Sequence, residues 1–421
     1  MGRMRRKILV QKFGGSSVAT PERIRAAAMK AVRARRAGRG IVVVVSAMGD
    51  ATDDLIALSE KVAENPQARE MDMLLSTGEQ VSAALLAMAI EAMGRPAVSL
   101  TGAQVGIRTD STHTKAKIRR IETRRIHREL DAGRIVVVAG FQGVDSAFDI
   151  TTLGRGGSDA TAVALAAALK AFRCDIYTDV DGVFTADPRL VPDACKLPRI
   201  SYEELFELAS VGAQIMQARS MELAMKFKVP LVVRSSLRSV PGTLVTEETK
   251  AMEDIAVIGA ALERNEAKVT IAGVPDRPGV AGRIFGKLAD AHINVDMIIQ
   301  NVGSDGKADM TFTVGRTDLK KAMDITRSLR QAIRVGSVFA DPDIAKVSVV
   351  GSGMKTHCGI AGKMFSALAR DRINIEMIST SEIKISVIVR AKDGPRALRA
   401  VHKVFGLDRA VSRGGRQGGV S

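Results

Sequence analysis

Lys12-Phe13-Gly14-Gly15-Ser16-Ser17 and Gly154-Arg155-Gly156-Gly157-Ser158-Asp159 are the two stretches on which the fold turns. Each follows or lies near an apolar, β-branched run and opens an Ala-rich helical stretch, so strand, glycine turn and helix come in that order. Where no Cβ stands in the way, backbone N–H groups can crowd around a phosphate. One such cluster serves a turn as readily as a ligand. Two, each carrying a cation and a hydroxyl, point to an anion cradle built from two halves.

From Lys7 to about Val245, short β-branched runs alternate with longer helical ones. Ile8-Leu9-Val10, 41–45, 98–100, 135–139, 175–179 and 231–234 are predicted to be buried strands. Residues 21–36, 78–93, 114–130, 159–172 and 201–209 are predicted to be helices. The alternation implies an α/β fold with a mostly parallel sheet covered on both faces. Ligands of such sheets sit beyond the C-terminal strand ends, where both glycine turns fall.

A chain of 421 residues exceeds one core, so two or three domains are expected. With aromatics at 3% and no Trp, the core must be aliphatic. Cys174, Cys195 and Cys358 are too few and too scattered for a disulfide frame or a zinc knuckle, and a reducing, cytoplasmic setting is expected. The longest apolar run, around Val81 to Ile90, is short of the ~18 residues of a membrane span, so no membrane segment is expected. The net charge of +16 invites a nucleic-acid reading. However, the cations are spread over helix faces such as Arg119-Arg120, Arg124-Arg125 and Lys320-Lys321, with few aromatics beside them to stack on bases. Solvated helix faces, and a field that favours anionic small substrates, are the reading preferred.

Pro241-Gly242-Thr243 and the polar stretch from Thr246 to Asp254 mark a boundary, which places a first domain at 1–250. A duplicated unit follows. Ala267-Lys268-Val269 recurs as Ala345-Lys346-Val347, and Gly279, Phe285, Leu288, Ile293, Asn294 and Met297 recur as Gly359, Phe365, Leu368, Ile373, Asn374 and Met377. Each copy, at 265–340 and 345–410, reads as an α+β βαββαβ module. The Gly-rich basic tail 411–421 is expected to be disordered.

Taken together, Lys12 to Val18, Val45-Ser46-Ala47-Met48, Ser76-Thr77-Gly78-Glu79, Phe141-Gln142-Gly143, Gly154 to Asp159 and Tyr177 to Arg189 resemble the aspartokinase family. The duplicated tail resembles tandem ACT domains, ferredoxin-like modules that bind amino-acid effectors. The resemblance implies an amino-acid-kinase fold and transfer of the γ-phosphoryl group of ATP to the side-chain carboxylate of L-aspartate. By motif, it implies that Lys12 and Asp159 are catalytic. Lys12, Gly14, Gly15, Ser16, Gly156, Gly157, Thr178, Asp179, Phe184 and Arg189 would surround ATP, with Mg2+ held mostly by phosphate oxygens and water, and no protein ligand set for the metal. Ser46, Thr52, Glu79, Arg155 and Ser158 would hold aspartate, Arg155 at the α-carboxylate and Glu79 at the ammonium group. Asp159 could equally cap the helix that begins there.

For the tail, the resemblance implies an effector pocket for lysine, threonine or both at Asp276, Gly279, Ile293, Asn294 and Gln300, and at Ile373, Asn374 and Ser381 of the second copy. Ile293 and Ile373 also read as core. A homo-oligomer formed through the ACT domains is implied, with a separately translated tail subunit left open as a partner. Two residues depart from the family pattern. Gln214 stands where a lysine is usual, and Phe184 where a tyrosine is common.

Overall fold

The computed structural model describes residues 7–212, 216–247, 255–303, 306–333 and 335–409. Gln214 and the tail 411–421 therefore lie outside the described residues. The chain forms two compact units. The first takes residues 1–184, 196–209 and 214–249, and the second takes 185–195, 210–213 and 250–421.

The first unit begins with β1 (Ile8–Phe13), α1 (Pro21–Arg36), β2 (Gly40–Val45), α2 (Ala51–Val62), α3 (Ala68–Ala92) and β3 (Ala97–Leu100). Then come β4 (Ile107–Thr109), β5 (Ile118–Ile121), α4 (Arg124–Asp131), β6 (Ile135–Ala139), β7 (Gln142–Val144), β8 (Ile150–Thr152), α5 (Gly157–Ala168) and β9 (Arg173–Thr178). It closes with β10 (Arg199–Ser201), α6 (Tyr202–Ser210), α7 (Ala218–Phe227), β11 (Leu231–Ser235) and β12 (Thr243–Thr246). Eight strands form one sheet in the order β10-β12-β11-β9-β1-β2-β6-β3. All its pairings are parallel except β11 with β12. A smaller sheet runs β5-β4-β7-β8.

β1 lies between β2 and β9 and is divided by its two-residue side-chain period. Leu9 and Phe13 enter the core with Ile24, Ala28 and Val32 of α1 and with Leu86 and Ile90 of α3. Lys12 points to the opposite face, toward α5. Helix α1 starts where Thr20 accepts the Arg23 N–H and Pro21 fills the first turn, and it ends among Arg33, Arg35 and Arg36, which suit the C-terminal dipole.

The helix expected at 78–93 begins ten residues earlier, at Ala68. By length and composition α3 could cross a membrane, but half of its most apolar window is buried inside the fold. The helix expected at 114–130 is corrected. Residues 118–121 form β5, paired with β4 through Ile107 with Ile121 and Arg108 with Arg120, and only the last part is helical as α4. A local helical pattern lost there to cross-strand pairing.

The second unit contains β13 (Gly259–Glu263), β14 (Glu266–Pro275), β15 (Val295–Val302), β16 (Lys307–Gly315), β17 (Val338–Asp341), β18 (Ile344–Val350), β19 (Met377–Thr380) and β20 (Lys384–Arg390). One sheet has the order β15-β16-β14-β17 and packs helices Val280–Asp290 and Leu319–Ser328 against its core. The other has the order β13-β18-β20-β19 and packs helices Ile360–Arg370 and Gly394–Val404.

The strand pairing thus departs from a simple tandem. β13, which precedes the first module in sequence, pairs with β18 and takes in the second module the place that β17 takes in the first. Residues 185–195, inside the span expected for the first domain, also belong to the second unit. Ala186 and Val191 share a core with Met364, Leu368, Leu398 and Val401. The buried Thr185 hydroxyl donates to the Leu407 carbonyl (3.0 Å), accepts from the Cys195 N–H (2.9 Å) and lies 3.0 Å from His402 Nε2.

The two modules grip one another reciprocally. Lys346 of β18 pairs with Asp296 and with Glu266 (3.0 Å), while its repeat counterpart Lys268 of β14 pairs with Glu376, the counterpart of Asp296. Such exchange of equivalent contacts is what a local two-fold relation between the copies produces. Lys346 is only 3% exposed in its side chain and Glu266 only 9%, so removing the lysine strands the buried Glu266 carboxylate. Lys346→Ala is expected to destabilise this unit by about 3–5 kcal/mol. Both tyrosines, Tyr177 and Tyr202, lie in the first unit. The check is therefore amide hydrogen exchange, with protection lost at β14 and β18 and retained at β1.

Candidate active site

Lys12 is the penultimate residue of β1, and its side chain is 11% exposed. A lysine buried so far needs an anion. Asp159, in the first turn of α5, supplies one at 2.6 Å. This single contact brings the two glycine turns together.

The rest of the cradle depends on missing side chains. A Cβ on Gly14 would sit 3.3 Å from Lys12 Nζ, and one on Gly15 would lie 2.9 Å from the Ala47 carbonyl. Gly156 has a left-handed φ of 70°, and a Cβ there would strike the Gln217 side chain at 2.1 Å. Helix α5 is buried through Ala160–Ala166, and its N-terminus, with Gly157 and Ser158 buried, adds oriented donors and a positive dipole end to the cradle. Gly14 differs from expectation, because its own N–H points to the Tyr177 carbonyl at 3.4 Å. Ser16 is exposed.

Glu79 lies on α3 and is 4% exposed. Its Oε1 accepts the Ala47 N–H at 3.1 Å, while Oε2 is buried with no hydrogen-bond partner. Burial pushes its carboxyl up to about 7, and the Ala47 hydrogen bond offsets only part of that. Ala47, whose N–H Glu79 accepts, also crowds Gly15 through its carbonyl, which ties Glu79 to the first glycine turn. Gly78 makes the approach of α3 possible, as a Cβ there would meet that of Ala47 at 2.8 Å. Ser46 follows β2, its N–H donating to the Phe13 carbonyl (3.1 Å), and Thr52 opens α2. Ser158 stands over Gly140, where a Cβ would lie 2.8 Å from its Oγ.

Arg155 is exposed on the second turn. Thr178 closes β9 beside β1, its hydroxyl donating to Asp179 at 2.9 Å. Phe184 is bridged to Lys196. Arg189 belongs to the segment 185–195 and is held by Asp187 through a two-pronged contact, with Nη2 to Oδ2 at 2.8 Å. Sequence reading passed over Gly140, and it quoted Ala47 within a motif without giving it a role. Gly140 could have been suspected from its place at the C-terminal end of a parallel strand.

In the second unit, Gly279 (φ 90°) and Gly359 (φ 86°) precede equivalent helices. Asp276, Asn294, Gln300, Asn374 and Ser381 are exposed. Ile293 and Ile373 are core residues, 5% and 4% exposed, so their side chains pack rather than face a ligand. Among the described residues no group of three His, Cys, Asp or Glu is placed to hold a metal ion.

Residues 7–235 match the amino acid kinase family, and residues 268–331 and 347–405 each match the ACT domain. An aspartate kinase of Stutzerimonas stutzeri is 54% identical over 402 residues, 95% of this chain and 98% of that protein. An aspartokinase of Pseudomonas aeruginosa is 53% identical, covering 97% of this chain and 99% of the relative. The chain belongs to the aspartokinase family. Among solved structures, E. coli aspartokinase III in complex with aspartate and ADP superposes with a TM-score of 0.78 at 25% identity, over 94% of this chain and 99% of that one. The same enzyme with lysine and aspartate gives 0.74 at 26% identity, over 94% and 99% of the two chains.

Within this family member, Glu79 carries a testable energetic signature. Burial raises its carboxyl in the folded state above the ordinary glutamate value near 4.5, so the native state holds the proton more tightly. This group therefore lowers stability as pH rises from 4.5 toward 7, and by a constant amount above that. Glu79→Gln is expected to gain on the order of 2–3 kcal/mol at pH 8 and little at pH 4, measured by urea unfolding followed through tyrosine fluorescence.

Proposed function

We propose that this chain transfers the γ-phosphoryl group of ATP to the side-chain carboxylate of L-aspartate, giving 4-phospho-L-aspartate and ADP. The observation that carries the reading is the Lys12–Asp159 pair, which joins two glycine turns beside a buried, unpartnered carboxylate oxygen on Glu79. An acceptor carboxylate is already ionised at neutral pH, so the reaction demands no general base. It demands that two anions be held in line and their repulsion neutralised.

Lys12 bridges the β- and γ-phosphates and meets the charge that develops in transfer, while Asp159 keeps it aimed. Gly15, Ser16 and the α5 N-terminus with Gly156 direct donors at the phosphates, while Gly157, whose N–H donates to the Gly154 carbonyl (2.9 Å), shapes the turn beside them. Thr178, Asp179 and Phe184 border the nucleotide. Arg155 forks onto the α-carboxylate of aspartate, Glu79 Oε2 takes its ammonium group, and Ser46, Thr52 and Ser158 complete the pocket. Mg2+ would be held chiefly by phosphate oxygens and water and would add neutralising charge at the transferring group.

The ACT modules take lysine, threonine or both at the exposed loop Asp276–Gly279 and at Asn294 and Gln300, and in the second copy at Asn374, the counterpart of Asn294, and at Ser381. The open edge of β15, which ends its sheet, supports assembly of copies through these modules. The chain is assigned to the cytoplasm.

ADP release should depend on aspartate. Lys12→Met is expected to lower kcat about 10²–10³-fold. At pH 8, Glu79→Gln should raise the KM for aspartate about 30-fold or more with little change for ATP. Turnover of other acceptors but not aspartate would overturn the assignment. For the modules, lysine and threonine added singly and together should lower the rate. Asn294→Ala and Asn374→Ala should raise the inhibitory concentration about tenfold without changing the uninhibited rate.

A further inference from the structure

We propose that Asp72 is a positioning residue for the α-carboxylate half of the aspartate pocket, acting through the His113-Thr114 turn on the loop that carries Arg155. This rests on the reading that Arg155 receives the α-carboxylate.

Asp72 lies on α3, two helical turns before Glu79 and on the same face. It is 0% exposed, although it has no Lys or Arg partner among its described contacts. All of its contacts instead run to a single place. Both carboxylate oxygens accept the Thr114 N–H at 3.0 Å, the Thr152 hydroxyl donates to Oδ1, and His113 Nδ1 lies 2.8 Å from Oδ2. Thr114 has a φ of 64°, a left-handed conformation that a β-branched residue holds only when its surroundings impose it.

That forced turn has a specific consequence. The Thr114 carbonyl lies 3.0 Å from where a Cβ on Gly154 would stand, and Gly154 itself has a φ of 75°. The backbone entering Arg155 is thus seated directly against the turn that Asp72 locks. Two further contacts hold the same segment. The Ala116 N–H donates to the Thr152 carbonyl (2.9 Å), and Arg219 donates to the Leu153 and Ala116 carbonyls, both at 2.7 Å. Arg155 is exposed, so its aim derives from this backbone rather than from side-chain packing. One helix therefore sets both ends of the substrate, Glu79 at the ammonium and Asp72, at one remove, at the α-carboxylate.

The test uses the full-length enzyme. Asp72→Ala should raise the KM for aspartate at least about tenfold while the KM for ATP stays within about twofold. Asp72→Asn, whose Oδ1 can still accept from Thr114 and Thr152, should recover most of that loss. Amide exchange at 153–157 should quicken in Asp72→Ala, and the Asp72→Ala/Arg155→Ala double variant should be no worse in KM than Arg155→Ala alone. Additive losses, an equal rise in both KM values, or unchanged exchange at 153–157 would overturn the proposal and leave the aspartate pocket as described. An Arg155→Ala enzyme with an unchanged KM for aspartate would overturn the role of Arg155 itself, and this proposal with it. Should Asp72→Ala fail to fold, Thr152→Val deletes one bond with little change in volume and carries the same test, with a smaller rise expected.

Discussion

A lysine ammonium buried at the end of the central strand requires a carboxylate, and the geometry of the first unit follows from how that demand is met. Lys12 emerges from β1 on the face that α5 covers, so its partner must come from the first turn of that helix. Glycine at 14 leaves room beside the Lys12 ammonium, and glycines at 156 and 157 let the turn before α5 pack closely against Gln217, Phe141 and Leu153, which seats the helix that carries Asp159. The pair lies in a poorly solvated place, where electrostatic interactions lose little to screening.

Helix α3 is the second organising element. Its apolar face fills the core through Leu86 and Ile90, and its polar stripe carries Asp72 and Glu79 toward the cradle. The two carboxylates differ in what burial leaves them. Asp72 finds several donors, whereas Glu79 keeps one oxygen without any. A fully bonded carboxylate holds structure in place. An orphaned one is poised for a cation that arrives from outside.

The second unit shows how a duplicated module becomes one body. Two equivalent lysines, Lys268 and Lys346, each reach the acidic residue of the opposite copy, and the methionines Met297 and Met377 meet in a shared apolar cluster. Its second sheet borrows β13 from ahead of the first module, and its core takes in Ala186 and Val191 from the chain that leaves β9. The residues that follow Thr178 are thereby covalently continuous with packing inside the regulatory unit.

Much of this was legible in the residues themselves. The buried strands, α1 and the two glycine turns declare themselves through β-branched runs, Thr20-Pro21 and Gly-Gly-Ser, because backbone conformation and burial are set by local chemistry. The repeat likewise revealed the modules through spacing alone. Tertiary structure decided what depends on distant partners. It turned 118–121 into a strand, put β13 into the second sheet, assigned 185–195 to the second unit and made Asp72 the lock of a turn forty residues away. Strand pairing, and the fate of a buried polar group, depend on whichever atoms the fold brings opposite them, and no local pattern records that.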